Sequence, residues 1–239
     1  HWSGRICEMN QIKKISKRYK IPIVEDACHA IEATYKNKFA GTFGDFGCFS
    51  LHPLKNLNVW GDGGYVIIKN KRNYERMLLL RNHGLVGRNT NLLFGYNSRL
   101  DTIQAVVANH LLKRIKKITS TRIKNSNYLE KELKNLKNLN FKPRYKNLKE
   151  VFHLYEIRVN NFKIRNKLVN YLRSKGIDAK IHYPVPMHLQ PASKVYNLKK
   201  GMFPKAEEIA KTTISLPVHE FLKKKQLNHI LKTFKNFFK

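Results

Sequence analysis

Hydrophobic and polar residues switch between helical and strand-like spacing in the first part of the chain. Apolar residues three to four positions apart predict a helix over residues 9–20, with Met9, Ile12, Ile15 and Tyr19 on one face. Short apolar runs predict strands at 22–25, near 47–51 and at 65–68, the last after the glycine turn at 61–64. This alternation is typical of an α/β domain with buried parallel strands.

The middle of the chain is predicted to be helical. A helix is expected at 74–82, and Gly84 stands where it would end. A longer helix is indicated by a single apolar stripe that contains Leu100, Ile103, Val107, Leu111, Ile115 and Ile118. We expect this helix to bridge two domains, which span residues 1–118 and 119–239.

The pattern after residue 120 predicts an α+β arrangement. It indicates helices at 123–136 and 164–174, the second stopped by Gly176, and strands at 151–159 and 177–182. A proline-rich loop at 183–191 and a short helix at 204–210 follow. The closing helix has an apolar side made of Phe221, Leu227, Ile230, Leu231 and Phe234.

Composition places the chain among folded globular proteins. It has 239 residues, 42% of them hydrophobic, and no apolar run near the roughly 20 residues that a membrane-spanning helix needs. We expect a cytoplasmic protein with no membrane partner. Three cysteines and ten histidines show no zinc-type spacing, so we predict no bound metal.

The formal net charge of +31 is the unusual feature of the composition. Alone, it would suggest a polyanionic partner such as nucleic acid. The lysines, however, recur at polar positions throughout the chain, with no nucleic-acid-binding motif around them. We therefore predict a lysine-rich solvated surface and no nucleic-acid partner, with some electrostatic steering of anionic substrates.

Lys55 and Asp26 are the candidates for chemistry. Lys55 lies in a loop after the strand-like run that ends near Leu51, where desolvation could suppress its charge and make its amine a nucleophile. Asp26 ends the preceding buried strand. Because open α/β sheets bind ligands at the carboxyl ends of their strands, both groups are expected at one rim. A surface lysine and a helix N-cap aspartate are the structural alternatives.

Several segments, in the right order, resemble one enzyme family. They are VEDACHA at 24–30, GDFGCFSLHPLKN at 44–56, GDGG at 61–64, LRNHG at 80–84, GYNSRL at 95–100 and HYPVPMHLQP at 182–191. On these motifs the chain resembles the DegT/DnrJ/EryC1/StrS sugar aminotransferases, which use pyridoxal phosphate. The resemblance implies an α/β, aspartate-aminotransferase-like fold (fold type I of the pyridoxal-phosphate-dependent transferases), with part of the large domain over 1–118 and a small α+β domain over 119–239.

The resemblance also implies roles for individual residues around pyridoxal 5'-phosphate. Lys55 would be the Schiff-base lysine and proton carrier, and Asp26 would pair with the pyridine nitrogen. His29, where many family members have glutamine, would reach the phenolic oxygen, and Ser50 would bind the phosphate. For His29 and Ser50, a buried hydrogen-bonded histidine and a serine satisfied by backbone are the alternatives.

Asn97 matches a residue that, in the family, reaches the cofactor phosphate of the neighbouring subunit. A homodimer with shared active sites is therefore expected, although a turn asparagine is the structural alternative. Arg99 is a candidate for anion binding, and His182 and His188 for lining the sugar site. For both histidines the resemblance leaves open a packed structural role instead.

The implied activity is transfer of an amino group from an amino acid, expected to be L-glutamate, to a keto-sugar, expected to be nucleotide-linked, in amino-sugar and surface polysaccharide biosynthesis. Dehydratases of the same family are an alternative, but they carry histidine in place of the lysine. A noncatalytic or regulatory member, or a basic nucleic-acid-binding protein, is the other alternative. The family's front portion, with its phosphate-binding turn, has no counterpart here. We therefore expect a fragment that alone binds the cofactor poorly.

Overall fold

The structure is a computed structural model that describes residues 1–239. The helices are α1 Met9–Tyr19, α2 Lys71–Leu80, α3 Thr102–Leu112, α4 Ile115–Leu133, α5 Phe162–Ser174, α6 Pro204–Thr212 and α7 Lys224–Phe237. The strands are β1 Val24–Asp26, β2 Thr34–Tyr35, β3 Lys38–Phe39, β4 Phe46–Ser50, β5 Gly64–Ile68, β6 Leu139–Asn140, β7 Leu148–Lys149, β8 Tyr155–Val159 and β9 Thr213–Leu216. Short 3-10 helices cover Trp2–Gly4, Met187–Leu189 and Pro191–Tyr196. No helix combines the length and the apolar character needed to cross a bilayer.

The chain forms two compact units. The first contains residues 1–120 and 145–153, and the second contains 121–144 and 154–239. The segment 145–153 returns to the first unit, where β7 pairs antiparallel with β2. The assignment of a cofactor domain to 1–118 and a small domain to 119–239 stays a prediction.

The first unit is built around the sheet β1-β4-β5. β1 and β4 are parallel, and β5 runs antiparallel to β4. The predicted helix at 9–20 and the three predicted strands are confirmed within one or two residues. Apolar residues from β4, the loops beside it and the chain start share one core, which includes Ile6, Met9, Ala27, Tyr35, Phe43, Phe49 and Val151.

Alternation along β1 sends two neighbouring carboxylates to different surroundings. Glu25 is buried, whereas Asp26 is exposed at the strand end. The Glu25 carboxylate accepts backbone N–H bonds from Gly41 at 2.8 Å, Phe43 at 2.6 Å and Gly44 at 2.5 Å. The His1 imidazole completes this shell at 2.8 Å. One buried charge therefore fixes the loop that leads into β4.

Close backbone approach explains one glycine in this loop and one in β4. A side chain at Gly47 would overlap the backbone of Gly41, and one at Gly41 would overlap the Phe49 ring. Gly41 also has φ +77°, a conformation that favours glycine. The missing side chains let the loop donate its N–H groups to Glu25.

The second unit packs helices on the antiparallel sheet β6-β8-β9. α5 contacts β8, β9, α6 and α7. The fully buried residues of the second unit include Leu129, Leu133, Tyr155, Ile157, Leu168, Leu172, Ile214 and Phe234. The predicted helices at 164–174 and 204–210 are confirmed, and Gly176 has the positive φ expected after α5.

Three expectations for the secondary structure are wrong. The apolar stripe predicts one continuous helix from Leu100 to Ile118, but a turn at 113–114 separates α3 from α4. This turn keeps right-handed backbone angles at Lys113 and an Arg114 N–H bond to Leu111, so the hydrophobic spacing barely changes.

The other two errors concern strands. The run at 151–159 contains β8 only from Tyr155, because Phe152 adopts φ +49° where the chain leaves the first unit. The segment 177–182 makes only an isolated bridge, from Lys180 to Ser215. Its expected place in the sheet is taken by β9, a short strand that the sequence pattern did not reveal.

We expect Glu25→Gln to lower the free energy of unfolding by about 2–4 kcal/mol, because the amide cannot satisfy all the donors that face the carboxylate. Urea denaturation at neutral pH measures the change. Glu75→Gln, at an exposed pair with Lys71 on α2, is the control and should cost less than about 0.5 kcal/mol.

The contribution of Glu25 to the free energy of unfolding also depends on pH. Burial opposes ionisation, but hydrogen bonds from His1, Gly44 and Gly41 hold the pKa of Glu25 below its usual value of 4.5. A carboxyl group whose pKa is lower in the folded state stabilises the protein at pH values above its pKa in the unfolded state. This stabilisation is lost as the pH falls through the pKa of the folded state. The difference between wild type and Glu25→Gln should therefore shrink in acid, and a constant difference would contradict this account.

Candidate functional site

Asp26 and Lys55 lie at the carboxyl rim of the parallel pair β1-β4. Asp26 ends β1 and is in register with Cys48 of β4, two residues before Ser50 ends that strand. Lys55 follows in a turn, where its own backbone N–H donates to His52 O at 2.8 Å. Asp26 and Lys55 each influence the pKa of the other, so they share one electrostatic site.

The Asp26 carboxylate is held in its ionised form. Its Oδ1 accepts the Cys28 backbone N–H at 3.1 Å. Partial burial opposes ionisation, but the hydrogen bonds from Cys28 and the charges of His29 and Lys55 hold the pKa of Asp26 below its usual value. The rim therefore presents a negative charge beside the lysine.

Lys55 is half-buried, and its amine is easier to deprotonate than that of a surface lysine. Burial lowers the pKa of Lys55, while Cys28 and Asp26 oppose that shift. Burial and the nearby Asp26 raise the pKa of the Cys28 thiol to about 11, so this thiol is protonated at neutral pH. Of the two groups, Lys55 is the one whose pKa shifts towards neutrality.

His29 is fixed between two other rings. Its centroid lies 5.2 Å from that of Trp2 and 4.1 Å from that of His153. The Ser3 backbone N–H donates to its Nδ1 at 3.3 Å. In the neutral ring the proton therefore resides on Nε2, which makes that nitrogen a hydrogen-bond donor.

Ser50 makes a local backbone contact. Its Oγ accepts the His52 N–H at 3.2 Å, which ties the strand end to the turn that carries Lys55. This bond uses an acceptor lone pair of the hydroxyl. The hydroxyl proton is the group that Ser50 can offer to a ligand.

Asn56 and His153 were missed in the sequence. The Asn56 amide donates to Val151 O at 3.2 Å, and its Oδ1 lies 3.4 Å from His153 Nδ1. This link joins the residue after Lys55 to the His153 ring, which contacts His29 in a tilted arrangement. Nothing in the spacing points to a contact between positions 97 residues apart; a buried asparagine directly after the lysine is the one available signal.

Asn97 and Arg99 form a separate cluster in the first unit. Arg99 Nε donates to Asn97 Oδ1 at 2.9 Å, and Arg99 Nη1 lies 3.5 Å from Asn82 Oδ1. An isolated bridge also pairs Asn82 with Asn97. These contacts orient Asn97 within its own turn, and its expected reach into a neighbouring subunit stays a prediction.

His182 and His188 occupy different environments in the second unit. His182 Nδ1 lies 2.9 Å from Ser215 Oγ, and burial lowers the pKa of His182. His188 is buried, its Nε2 lies 3.1 Å from Glu207 Oε1, and its ring is tilted against that of Phe203. Glu207 also accepts the Gly201 N–H at 2.6 Å. His188 thus anchors the segment before α6, and a substrate role for either histidine stays a prediction.

Comparison with known proteins identifies the family of the chain. A model of the DegT/DnrJ/EryC1/StrS aminotransferase family matches residues 1–235. A "Pleiotropic regulatory protein" from Geobacillus stearothermophilus is 32% identical over 241 residues, 100% of this chain and 64% of the relative. The dTDP-3-amino-3,4,6-trideoxy-alpha-D-glucose transaminase of Streptomyces venezuelae is 31% identical, over 97% of this chain and 60% of the relative.

A solved structure gives the same picture. The crystal structure of S. venezuelae DesV with a ketimine intermediate matches with a TM-score of 0.94 and 31% identity, over 99% of this chain and 63% of that one. The predicted α/β fold class is thereby confirmed. The chain spans 60–64% of the length of these two curated relatives.

The electrostatic coupling between Asp26 and Lys55 can be tested without a ligand. Asp26→Asn should lower the pKa of Lys55 further, because the carboxylate is one of the charges that raise it. Competitive acetylation across pH, followed by peptide mapping, measures the pKa of Lys55. Asp178→Asn, which removes the carboxylate 3.0 Å from Lys180 in the second unit, should leave Lys55 unchanged. An unaltered Lys55 in Asp26→Asn would show that the two groups are not coupled.

Proposed function

Because the chain belongs to the DegT/DnrJ/EryC1/StrS aminotransferase family, we propose that it carries the catalytic lysine of a pyridoxal-phosphate-dependent sugar aminotransferase. The amino group passes from an amino acid, L-glutamate, to a keto-sugar linked to a nucleotide. The observation that carries this proposal is Lys55, a half-buried amine with a lowered pKa beside the ionised Asp26. The setting proposed is cytoplasmic amino-sugar and surface polysaccharide biosynthesis.

The side chains at the rim fit the cofactor. An amine for its aldehyde, a carboxylate for its pyridine nitrogen and an imidazole N–H for its phenolic oxygen belong to one group of neighbouring residues, Lys55, Asp26 and His29. When bound, pyridoxal phosphate supplies an electron-withdrawing ring that stabilises negative charge on the carbon that loses a proton. Ser50 adds a hydroxyl donor for the phosphate.

Each residue has one task in this proposal. Asp26, kept ionised by Cys28, holds a proton at the pyridine nitrogen. Lys55 would hold the cofactor through its amine, and its Nζ would carry the proton that the substrate carbon loses. His29, with Nδ1 occupied by the Ser3 N–H, offers its Nε2–H to the phenolic oxygen. Arg99, His182 and His188 are proposed substrate-site residues, and His188 also anchors its own loop through Glu207.

Two neighbouring possibilities are less well supported. The family's dehydratases carry histidine at the lysine position, whereas this chain has Lys55. A regulatory role without catalysis is suggested only by the printed name of the Geobacillus relative. The arrangement of Lys55 and Asp26 favours the aminotransferase because groups with perturbed pKa values cluster at functional sites.

Borohydride reduction in the presence of pyridoxal phosphate should attach a pyridoxyl group to Lys55, because its amine is the one with a lowered pKa at the rim. Peptide mapping by mass spectrometry locates the adduct. Lys55→Arg removes this amine and should leave the segment 44–64 unmodified. With many lysines in the chain, low random labelling is expected in both proteins, so a preferred site other than Lys55 would overturn the assignment.

We further propose a homodimer in which Asn97 serves the partner's site. α3 supports a self-association surface because none of its residues is buried and Ile103 and Val106 are 57% and 58% exposed. Phe94 and Tyr96 beside Asn97 are also strongly exposed. A nearly uncharged, apolar surface of this kind is typical of protein interfaces.

Mixing Lys55→Ala chains with Asn97→Ala chains should restore turnover, because each mixed dimer contains one site with both wild-type residues. The assay uses the shortest active protein that includes this sequence. Mixing Lys55→Ala with Asp26→Asn is the matched control and should not restore it, since those residues belong to the same subunit's site. Failure of the Asn97 mixture despite demonstrated subunit exchange would refute a shared site.

A further inference from the structure

An open groove of about 570 Å³ lies on the first unit, away from Asp26 and Lys55. Its lining includes Ile23 before β1, Asp45 before β4 and Lys69 after β5. Because β1 and β4 are parallel and β5 is antiparallel to β4, these positions share the end of the sheet opposite to Asp26 and Ser50. The groove is therefore separate from the proposed cofactor site.

Positive charge dominates the groove. Lys13, Lys14 and Lys17 of α1 line it together with Lys69. Its one carboxylate is Asp45, so four ammonium groups and one carboxylate leave a net charge of +3. Asp45 Oδ2 already accepts the Ile23 backbone N–H at 2.8 Å, which binds this carboxylate to the start of β1.

The lysines of α1 are not balanced along their own helix. Positions 13, 14 and 17 fall on one flank, while Met9, Ile12 and Ile15 occupy another. The helix contains no acidic residue, in contrast to α2, where Lys71 pairs with Glu75. Like charge therefore accumulates on this flank.

Lys69 is also close to other positive charges. Its Nζ donates to Phe43 O at 3.1 Å, which holds the ammonium over the groove. Burial lowers the pKa of Lys69, and the positive charges of Lys38 and Lys13 lower it further, against the opposing effect of Glu25 and Asp45. A bound anion would relieve this repulsion.

We propose that this groove binds a compact anion with at least two phosphate groups. Its volume lies in the range of small-molecule sites, and lysine ammonium groups bind phosphate as mobile point charges. A net charge of +3 is matched by a diphosphate better than by one phosphate. The groove thus adds an anion site at the end of the sheet remote from Lys55.

The test measures binding of inorganic pyrophosphate by calorimetry at about 0.15 M salt, where surface charges are screened beyond roughly 8 Å. Substituting Lys13, Lys17 and Lys69 together by glutamine should weaken binding by about tenfold or more, since each lost contact with phosphate costs a few-fold. Orthophosphate should bind the wild type about tenfold more weakly than pyrophosphate.

Matched variants separate this site from the general charge of the chain. The triple change Lys131→Gln, Lys134→Gln and Lys137→Gln removes equal charge from exposed positions in the second unit and should alter affinity by less than about twofold. Asp45→Asn keeps an acceptor for Ile23 but removes the negative charge, so it should strengthen binding about two- to threefold. Ser50→Ala should have no effect.

Each alternative to a specific anion site predicts a different result. Equal weakening by both triple variants would show that only overall charge attracts the anion. Loss of binding in Ser50→Ala would place pyrophosphate at the proposed cofactor site. Tight binding of duplex DNA that pyrophosphate does not displace would identify a nucleic-acid surface. Any of these outcomes, or no pyrophosphate binding up to about 1 mM, overturns the proposal.

Discussion

The first unit depends on one buried carboxylate. Glu25 lies in the middle of β1, and its oxygens receive three backbone N–H groups from residues 41–44 and the ring of His1. An ionised group without these donors would be too costly to bury. The loop before β4 must therefore close over β1. Because side chains alternate along a strand, the next residue, Asp26, is exposed.

This constraint links folding to chemistry through a single peptide unit. Asp26 emerges at the rim because Glu25 cannot leave the interior, and the register of β1 with β4 then sets where the turn with Lys55 begins. The site is consequently supported by hydrogen bonds from backbone groups, which do not depend on the rotamers of long side chains. Backbone support of this kind is an effective means of holding reactive groups in place.

Local patterns were sufficient for the elements that contain most of the site. The apolar spacing of α1, the run before Asp26 and the turn after Ser50 all predicted their structures, since each depends on neighbours in sequence. The break at 113–114 was missed because a single tight turn preserves helical spacing. β9 was missed because Thr213–Leu216 is short and all four of its residues are buried, so no alternation marks it.

Long-range contacts account for what sequence could not predict in the site. Asp26, His29, Ser50 and Lys55 belong to one stretch, whereas His153 arrives from a segment that follows α4 and returns to the first unit. The groove at the other end of the sheet was hidden for the same reason. Lys69 is distant in sequence from the lysines of α1, and only the antiparallel direction of β5 brings it to them.

The bond from Ser3 to His29 has a consequence for which residues can occupy this position. With Nδ1 engaged by a backbone N–H, the neutral ring no longer acts as a two-ended acid and base, and its proton is on Nε2. A carboxamide combines an NH2 donor group with an oxygen that can accept the Ser3 N–H bond. Glutamine, which the resemblance implies at this position in many family members, would therefore accept the same Ser3 N–H and still offer a donor, despite its different shape.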